Sequence, residues 1–376
     1  MECELLITAG RVFCPRSSLN GPGGVAVTNG RIAASGAFSG IRAERQLDFP
    51  DCLLLPGLVD FHSHPDQNGS RFGVAPDLHL LPFGTTTAMS QGDAGAANWD
   101  AYRAGVLEPS RTRLRMALNL ARHGEATNGC GCLEDLAEAD VEACVAAVLR
   151  GGETVWGIAV NTSIPTCGST DPREVLRRGL EVAERTGMPL LFGSRRAPDW
   201  PLAEQLPLLR PGDVVTYCFS PDPDGLLAGD QVREEVWEAQ ARGVRFDVGH
   251  GMGSFSFRVA EAAIRQGFLP DTISTDLYRR HLDQLPRHDL PRVMSKLLAC
   301  GMPEADAFVR ITAIPAALLD LKEQIGSLAA GSCADLALLR RTAMAAPLRD
   351  TLGEERTAGC WEPVLTVQAG ALVLPT

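Results

Sequence analysis

Pro56-Gly57-Leu58-Val59-Asp60-Phe61-His62-Ser63-His64 is the stretch from which the rest of the chain can be read. Pro56-Gly57 marks a turn, and Leu58, Val59 and Phe61 make the apolar run of a parallel strand buried on both faces. Residues two apart in a strand share a face, so the imidazoles of His62 and His64 point the same way from its C-terminal end. Two such rings can share one metal ion, at about 2.0–2.1 Å for zinc. A bare His-x-His pair also occurs on surfaces and as a cap; the apolar strand and its Pro-Gly turn favour the metal reading here.

Outward from that stretch, further strand-like runs fall at 85–90, 113–120, 154–161, 189–193, 213–219, 245–249 and 271–276, which with 56–62 makes eight. Helical patterns separate most of them, over Leu133–Leu149, Pro172–Arg185, Val232–Ala241, Phe257–Arg265 and Leu290–Ala299. Asp171 is the expected N-cap of the Pro172 helix and Gly187 its terminator. Eight such units over about 240 residues predict an α/β chain folded as a (β/α)8 TIM barrel rather than an open doubly wound sheet. No glycine-rich nucleotide fingerprint follows the first strand. The active site of such a barrel lies at the C-terminal ends of its strands. His62 and His64 occupy that end of strand one, and Asp276 that of strand eight, its neighbour in a closed barrel. Together they make a three-ligand site with room for water, although a lone strand-end aspartate can also be a cap.

Both ends of the chain read as β structure. Leu5-Leu6-Ile7, Val12-Phe13 and the Asn29-Gly30 hairpin between Val25-Ala26-Val27 and Ile32-Ala33-Ala34 lie at one end. Asp335–Leu339, Leu365-Thr366-Val367 and Leu372-Val373-Leu374 lie at the other. They predict a small β-sandwich domain built from 1–55 plus 320–376, flanking a catalytic barrel of 56–319.

The composition, 45% hydrophobic and 22% charged, is that of a globular protein. A formal net charge of −11 argues against nucleic acid and anionic membranes as partners. With no apolar run of ~18 residues and no leader pattern, the expected location is cytoplasmic. The 11 cysteines are odd in number and scattered, as reduced, mostly buried thiols would be. Cys130-Gly131-Cys132 is their one close pair, read as a loop with two free thiols.

Pro56–His64, Gly84-Thr85-Thr86-Thr87, Asp247-Val248-Gly249-His250-Gly251, Pro270–Leu277 and Ile325-Gly326-Ser327-Leu328…Gly331–Asp335 together resemble the amidohydrolase superfamily. Phe246–Phe257 and Gly267–Leu277 are similar to its dihydroorotase-like amidohydrolase and deacetylase branch. The resemblance covers nearly the whole chain and implies a metal-bearing barrel, a terminal β-sandwich, and hydrolysis of amide, ester or ring C–N bonds. It also implies six ligands: the strand-one pair, a carboxylated lysine on strand four, histidines on strands five and six, and the strand-eight aspartate. Three are replaced here, by Ala159, Gly193 and Tyr217.

The expected site is therefore reduced to one divalent ion, zinc before manganese or iron, on His62, His64 and Asp276, or to none if the site is degenerate. Asp276 would also be the catalytic proton carrier. His250 after strand seven, Tyr217, and Arg195 and Arg279 of the pairs Arg195-Arg196 and Arg279-Arg280 are the expected substrate-binding groups. Guanidinium groups there imply a small carboxylate-bearing substrate. Glu125 and Cys167, on the loops after strands three and four, are the candidates to replace a lost ligand. The alternatives are metal-independent lyase or isomerase chemistry through Asp276, His250 and Tyr217, and a catalytically silent binding paralogue. A homo-oligomer fits a barrel enzyme, but no residue pattern demonstrates one.

Overall fold

The computed structural model describes residues 2–38, 40–126 and 131–375; Cys130 of the close cysteine pair lies outside them. Seven strands form one parallel sheet in chain order: Leu58–Ser63, Thr85–Gly95, Arg113–Asn119, Val155–Asn161, Leu190–Gly193, Val214–Thr216 and Arg245–Phe246. They are barrel strands one to seven. The first is buried at every position, as its apolar reading requires.

The expected eighth strand is present without forming a continuous ladder. Parallel bridges join Asp247 to Thr272 on one side and Ser63 to Leu277 on the other. Val248 N–H donates to Thr272 O (3.1 Å), and Asp276 N–H donates to His62 O (2.7 Å). The segment thus bonds to strand seven's extension and to strand one, and the barrel closes. Side chains complete the seam. Asp60, fully buried, accepts from the backbone N–H (3.0 Å) and hydroxyl of Thr275. Asp247, also fully buried, accepts from the hydroxyls of Thr272 (2.5 Å), Ser274 (2.8 Å) and Thr216 (2.8 Å).

Two strands are shorter than their sequence patterns. Strand six stops at Thr216 because Tyr217 takes φ 66°, and the run after strand seven turns at Gly249, φ 49°. Left-handed residues end an extended ladder. The helix expected from Leu133 begins only at Val141. Asp140 accepts the Ala143 N–H and caps it there, and Asp135 accepts the Ala137 N–H to start a separate 3-10 turn, Leu136–Glu138. Helix Pro172–Thr186 is capped by Asp171 and stopped at Gly187, as its sequence predicts. Val175, Leu176, Val182 and Ala183 form its buried face. Gly179 lets it approach strand four, since a β-carbon there would lie 2.5 Å from Val160 Cγ2. Helices Phe257–Arg265 and Leu290–Ala299 have their predicted bounds. No described helix is long and apolar enough to cross a membrane.

The chain's two ends share a seven-stranded sheet in the order Ala371–Val373, Cys360–Gln368, Leu336–Thr342, Arg42–Pro56, Glu2–Cys14, Leu19–Thr28, Arg31–Gly36. Alternation divides its faces. Leu54, Leu336 and Leu338 join Ile7, Val25, Ile32 and Val367 in a core of its own, whereas Leu53, Leu55, Ala337 and Leu339 belong to the barrel's core. The predicted Asn29-Gly30 turn is present, both residues at positive φ. A β-carbon on Gly30 would lie 2.9 Å from Ala369 O, so turns from opposite edges of this one sheet touch. The layers of the expected sandwich are therefore continuous.

Because the Thr275 hydroxyl ties Asp60 of strand one across the seam, Thr275→Val is expected to lower unfolding free energy by about 1.5–3 kcal/mol. Thr275→Ser is expected to retain most of it; urea unfolding of the two variants checks this.

Candidate metal centre

His62 and His64 leave strand one on the same face, and the closing segment brings Asp276 between them. Asp276 Oδ1 lies 3.4 Å from His62 Nε2 and 3.3 Å from His64 Nε2. All three residues are buried. Among the described residues they are the one group of three or more His, Cys, Asp or Glu whose ligand atoms lie within 4.8 Å of one another.

The outer ring nitrogens fix which atoms face inward. Thr216 Oγ1 donates to Asp247 Oδ2 (2.8 Å), so its lone pairs accept from His62 Nδ1–H (2.8 Å). His64 Nδ1–H donates to Asp93 Oδ1 (2.7 Å), and the other Asp93 oxygen accepts from Ser90 Oγ (2.8 Å). Both Nε2 atoms then present lone pairs towards Asp276 Oδ1, which is buried without a hydrogen-bond partner. Three lone pairs turned on one another require positive charge between them. A tetrahedral ion with bonds of ~2.0–2.1 Å sets its donors about 3.3 Å apart, so the three residues fit a zinc-like ion. Burial works against charge on either ring. The carboxylates of Asp276 and Asp247 outweigh it at His62, and those of Asp93 and Asp276 at His64, holding both rings above their ordinary range. Burial likewise opposes charge on Asp276, but the two imidazoles hold its carboxyl well below the usual range.

The remaining expected residues are placed as follows. Tyr217 brings its hydroxyl 3.5 Å from His62 Nε2, and burial, followed by the Asp276 charge, keeps its phenol protonated far above the ordinary range. A β-carbon on Gly193 would lie 3.2 Å from Tyr217 Cε2 and 2.8 Å from Asn161 Oδ1, so these two side chains fill the space beside strand five. Ala159 Cβ packs 3.0 Å from the β-carbon position of Gly92.

Of the first arginine pair, Arg195 is tied to Asp199 (Nη2 to Oδ2, 2.6 Å). Arg196 lies over the Tyr217 ring, 4.6 Å from its centroid. It pairs with Asp222 (Nε to Oδ2, 3.0 Å) and leaves Nη1 without a hydrogen-bond partner. Arg279 is exposed and donates to Gln67 O. The rings of His250 and the triad are not brought together. His250 Nδ1–H donates to Gly251 O (2.7 Å), which leaves Nε2 to accept from Lys296 Nζ (2.8 Å). Glu125 pairs with Arg71 (3.0 Å) and Cys167 contacts Asn161 O (3.6 Å), and neither joins the cluster.

Asp93, Thr216 and Asp247 orient the histidines and were not singled out from the sequence. A buried-strand pattern ending in a hydroxyl or carboxylate was their only signal. Arg196, Tyr217 and Asp276 share a further property, positive φ at 50°, 66° and 47°. Non-glycine residues held there cost of order 1–3 kcal/mol each and gather at functional sites.

The chain has relatives among known proteins. It is 35% identical to a deacetylase of Agrobacterium fabrum over 296 residues, covering 78% of this chain and 72% of that one. It is 30% identical to a deacetylase of Enterococcus faecalis over 95% of both chains. Among solved structures, an adenine deaminase superposes with TM-score 0.88 at 28% identity over 98% of this chain and 99% of that one. A dihydroorotase superposes with TM-score 0.86, also at 28% identity, over 99% of both. No protein-family model matches the chain. With these relatives spanning its barrel, its terminal sheet and the strands that carry the triad, the chain belongs to the amidohydrolase superfamily, in the dihydroorotase-like branch.

Proposed function

We propose that this chain is a metal-dependent hydrolase that cleaves an amide, cyclic amide or ester bond of a small carboxylate-bearing substrate, using a single-ion centre of His62, His64 and Asp276. The convergence of three potential ligand atoms, two with their outer nitrogens fixed by hydrogen bonds, carries this reading. The names of its relatives, deacetylase and dihydroorotase, support acyl-bond hydrolysis. Ala159 and Gly193 offer no ligand atom, which favours one ion over two.

A bound divalent ion, zinc before manganese or iron, would polarise the scissile carbonyl and lower the pKa of a water towards ~7. The protein's own groups do the rest. Asp276 accepts the proton of the attacking water and passes it to the leaving nitrogen or oxygen. Tyr217, held as the neutral phenol, donates a hydrogen bond to the carbonyl oxygen as it gains charge. Arg196 over the Tyr217 ring orients the substrate's carboxylate through its unpaired Nη1. Arg195, spent on Asp199, supports the loop.

Protein purified without chelator is expected to contain about one zinc, manganese or iron per chain and to lose it in His62→Ala, read by elemental analysis. Turnover of N-acyl amino acids, cyclic amides or esters that survives complete metal removal would sink the hydrolytic mechanism and select acid–base chemistry instead. Asp93→Asn, which loosens the orientation of His64, is expected to weaken zinc affinity by ~10–100-fold in chelator competition. Arg196→Gln is expected to raise KM for a carboxylate-bearing substrate by about tenfold or more, the loss of one charge-assisted hydrogen bond. It should leave KM for the corresponding neutral methyl ester nearly unchanged.

A further inference from the structure

A cavity of about 510 Å³ lies behind the loop that follows strand seven, and no step of the proposed reaction uses it. Its volume is within the ~300–1,000 Å³ of small-molecule sites. One wall is Gly251, whose β-carbon position lies 2.4 Å from Asp276 Oδ2, so the cavity backs onto the metal centre without containing it.

Two cations line this cavity from one helix. Arg292 and Lys296 are four apart on Leu290–Ala299, hence on one face, where like charges repel. They are 9% and 5% exposed. Neither side chain has a carboxylate in hydrogen-bond contact. The nearest acid to Arg292, Glu362, is 3.9 Å away, and Arg292 Nη1 is buried without a hydrogen-bond partner. Lys296 donates to the neutral imidazole of His250 (2.8 Å) and, among the described residues, has no salt bridge. Asp350 also lines the cavity, but its oxygens accept the backbone N–H groups of Phe257, Leu352 and Glu354 at 2.8–3.0 Å, which consumes it in shaping a turn. Burial, with Arg292 beside it, lowers Lys296 to about 7. A guanidinium and an amine buried side by side, with no carboxylate in direct contact with either, favour an anion that joins them. The rest of the wall includes Met252, Leu285 and Pro347, which suit an aliphatic body.

We propose that this cavity is a second ligand site, taking a small organic acid whose carboxylate bridges Arg292 and Lys296 and whose apolar body lies against Met252, Leu285 and Pro347. This site does not rest on the hydrolytic reading of the triad.

Titration of the purified protein with hexanoate, followed by calorimetry, tests it. Saturable binding is expected, weakened at least tenfold by Arg292→Gln and by Lys296→Met and unchanged by Arg196→Gln. Leu285, 94% exposed on the rim, supplies a variant that does not disturb folding, and Leu285→Asp is expected to weaken hexanoate several-fold. Acetate should bind more weakly than hexanoate in the unaltered protein. Absence of saturable binding would overturn the proposal. So would binding that is lost in Arg196→Gln but kept in Arg292→Gln, which would place the acid at the metal centre instead. Inorganic phosphate matching hexanoate would overturn the organic-acid assignment.

Discussion

Two carboxylates sealed inside the barrel hold its seam. The eighth segment has only isolated bridges to its neighbours, and its side chains supply much of the remaining attachment. Asp60 reaches it from strand one, and Asp247 from strand seven. Each carboxyl group gathers several hydroxyl and amide donors at once, where a backbone carbonyl in a ladder accepts from one. The same two residues bear on the chemistry. Asp247 fixes Thr216, which fixes His62, and the segment that Asp60 grips carries Asp276. Closing the fold and assembling the triad are one event.

The replaced ligand positions are not holes. Tyr217 and Asn161 occupy the ground beside Gly193, and Ala159 packs against Gly92. Small residues at 159 and 193 in a close-packed interior leave no void, because neighbouring side chains fill the space. Together these residues form a packed, partly polar wall, and Tyr217 brings a hydroxyl to the triad.

Much of this was legible in the sequence because period-two and period-3.6 patterns survive without knowledge of contacts. The strand positions, the His62 and His64 face, the Asn29-Gly30 turn and the capped Pro172 helix all follow from local rules. Asp276 followed once ring closure was assumed. What escaped was decided across the barrel. Arg195 and Arg196 are indistinguishable in sequence; Asp199, four residues on, takes the first and leaves the second over Tyr217. His250 reads as a mouth residue until Lys296, on a helix 46 positions later, claims its ring. The late start of the helix at Val141 came from two competing aspartate caps, a local signal that the apolar pattern of Leu133–Leu149 obscured.

The terminal sheet has a consequence for how the chain acquires its shape. Strand Arg42–Pro56 sits between Glu2–Cys14 and Leu336–Thr342, so Leu54 meets Leu338 only after the whole barrel sequence has been traversed. Pairings of such wide sequence separation form slowly, because long loops must close before they are rewarded. Until the last strands arrive, Ile7, Val25 and Leu54 lack the part of their core that Leu336, Leu338, Leu365 and Val367 supply. The nascent molecule therefore carries an unfinished apolar face that only its own tail can cover.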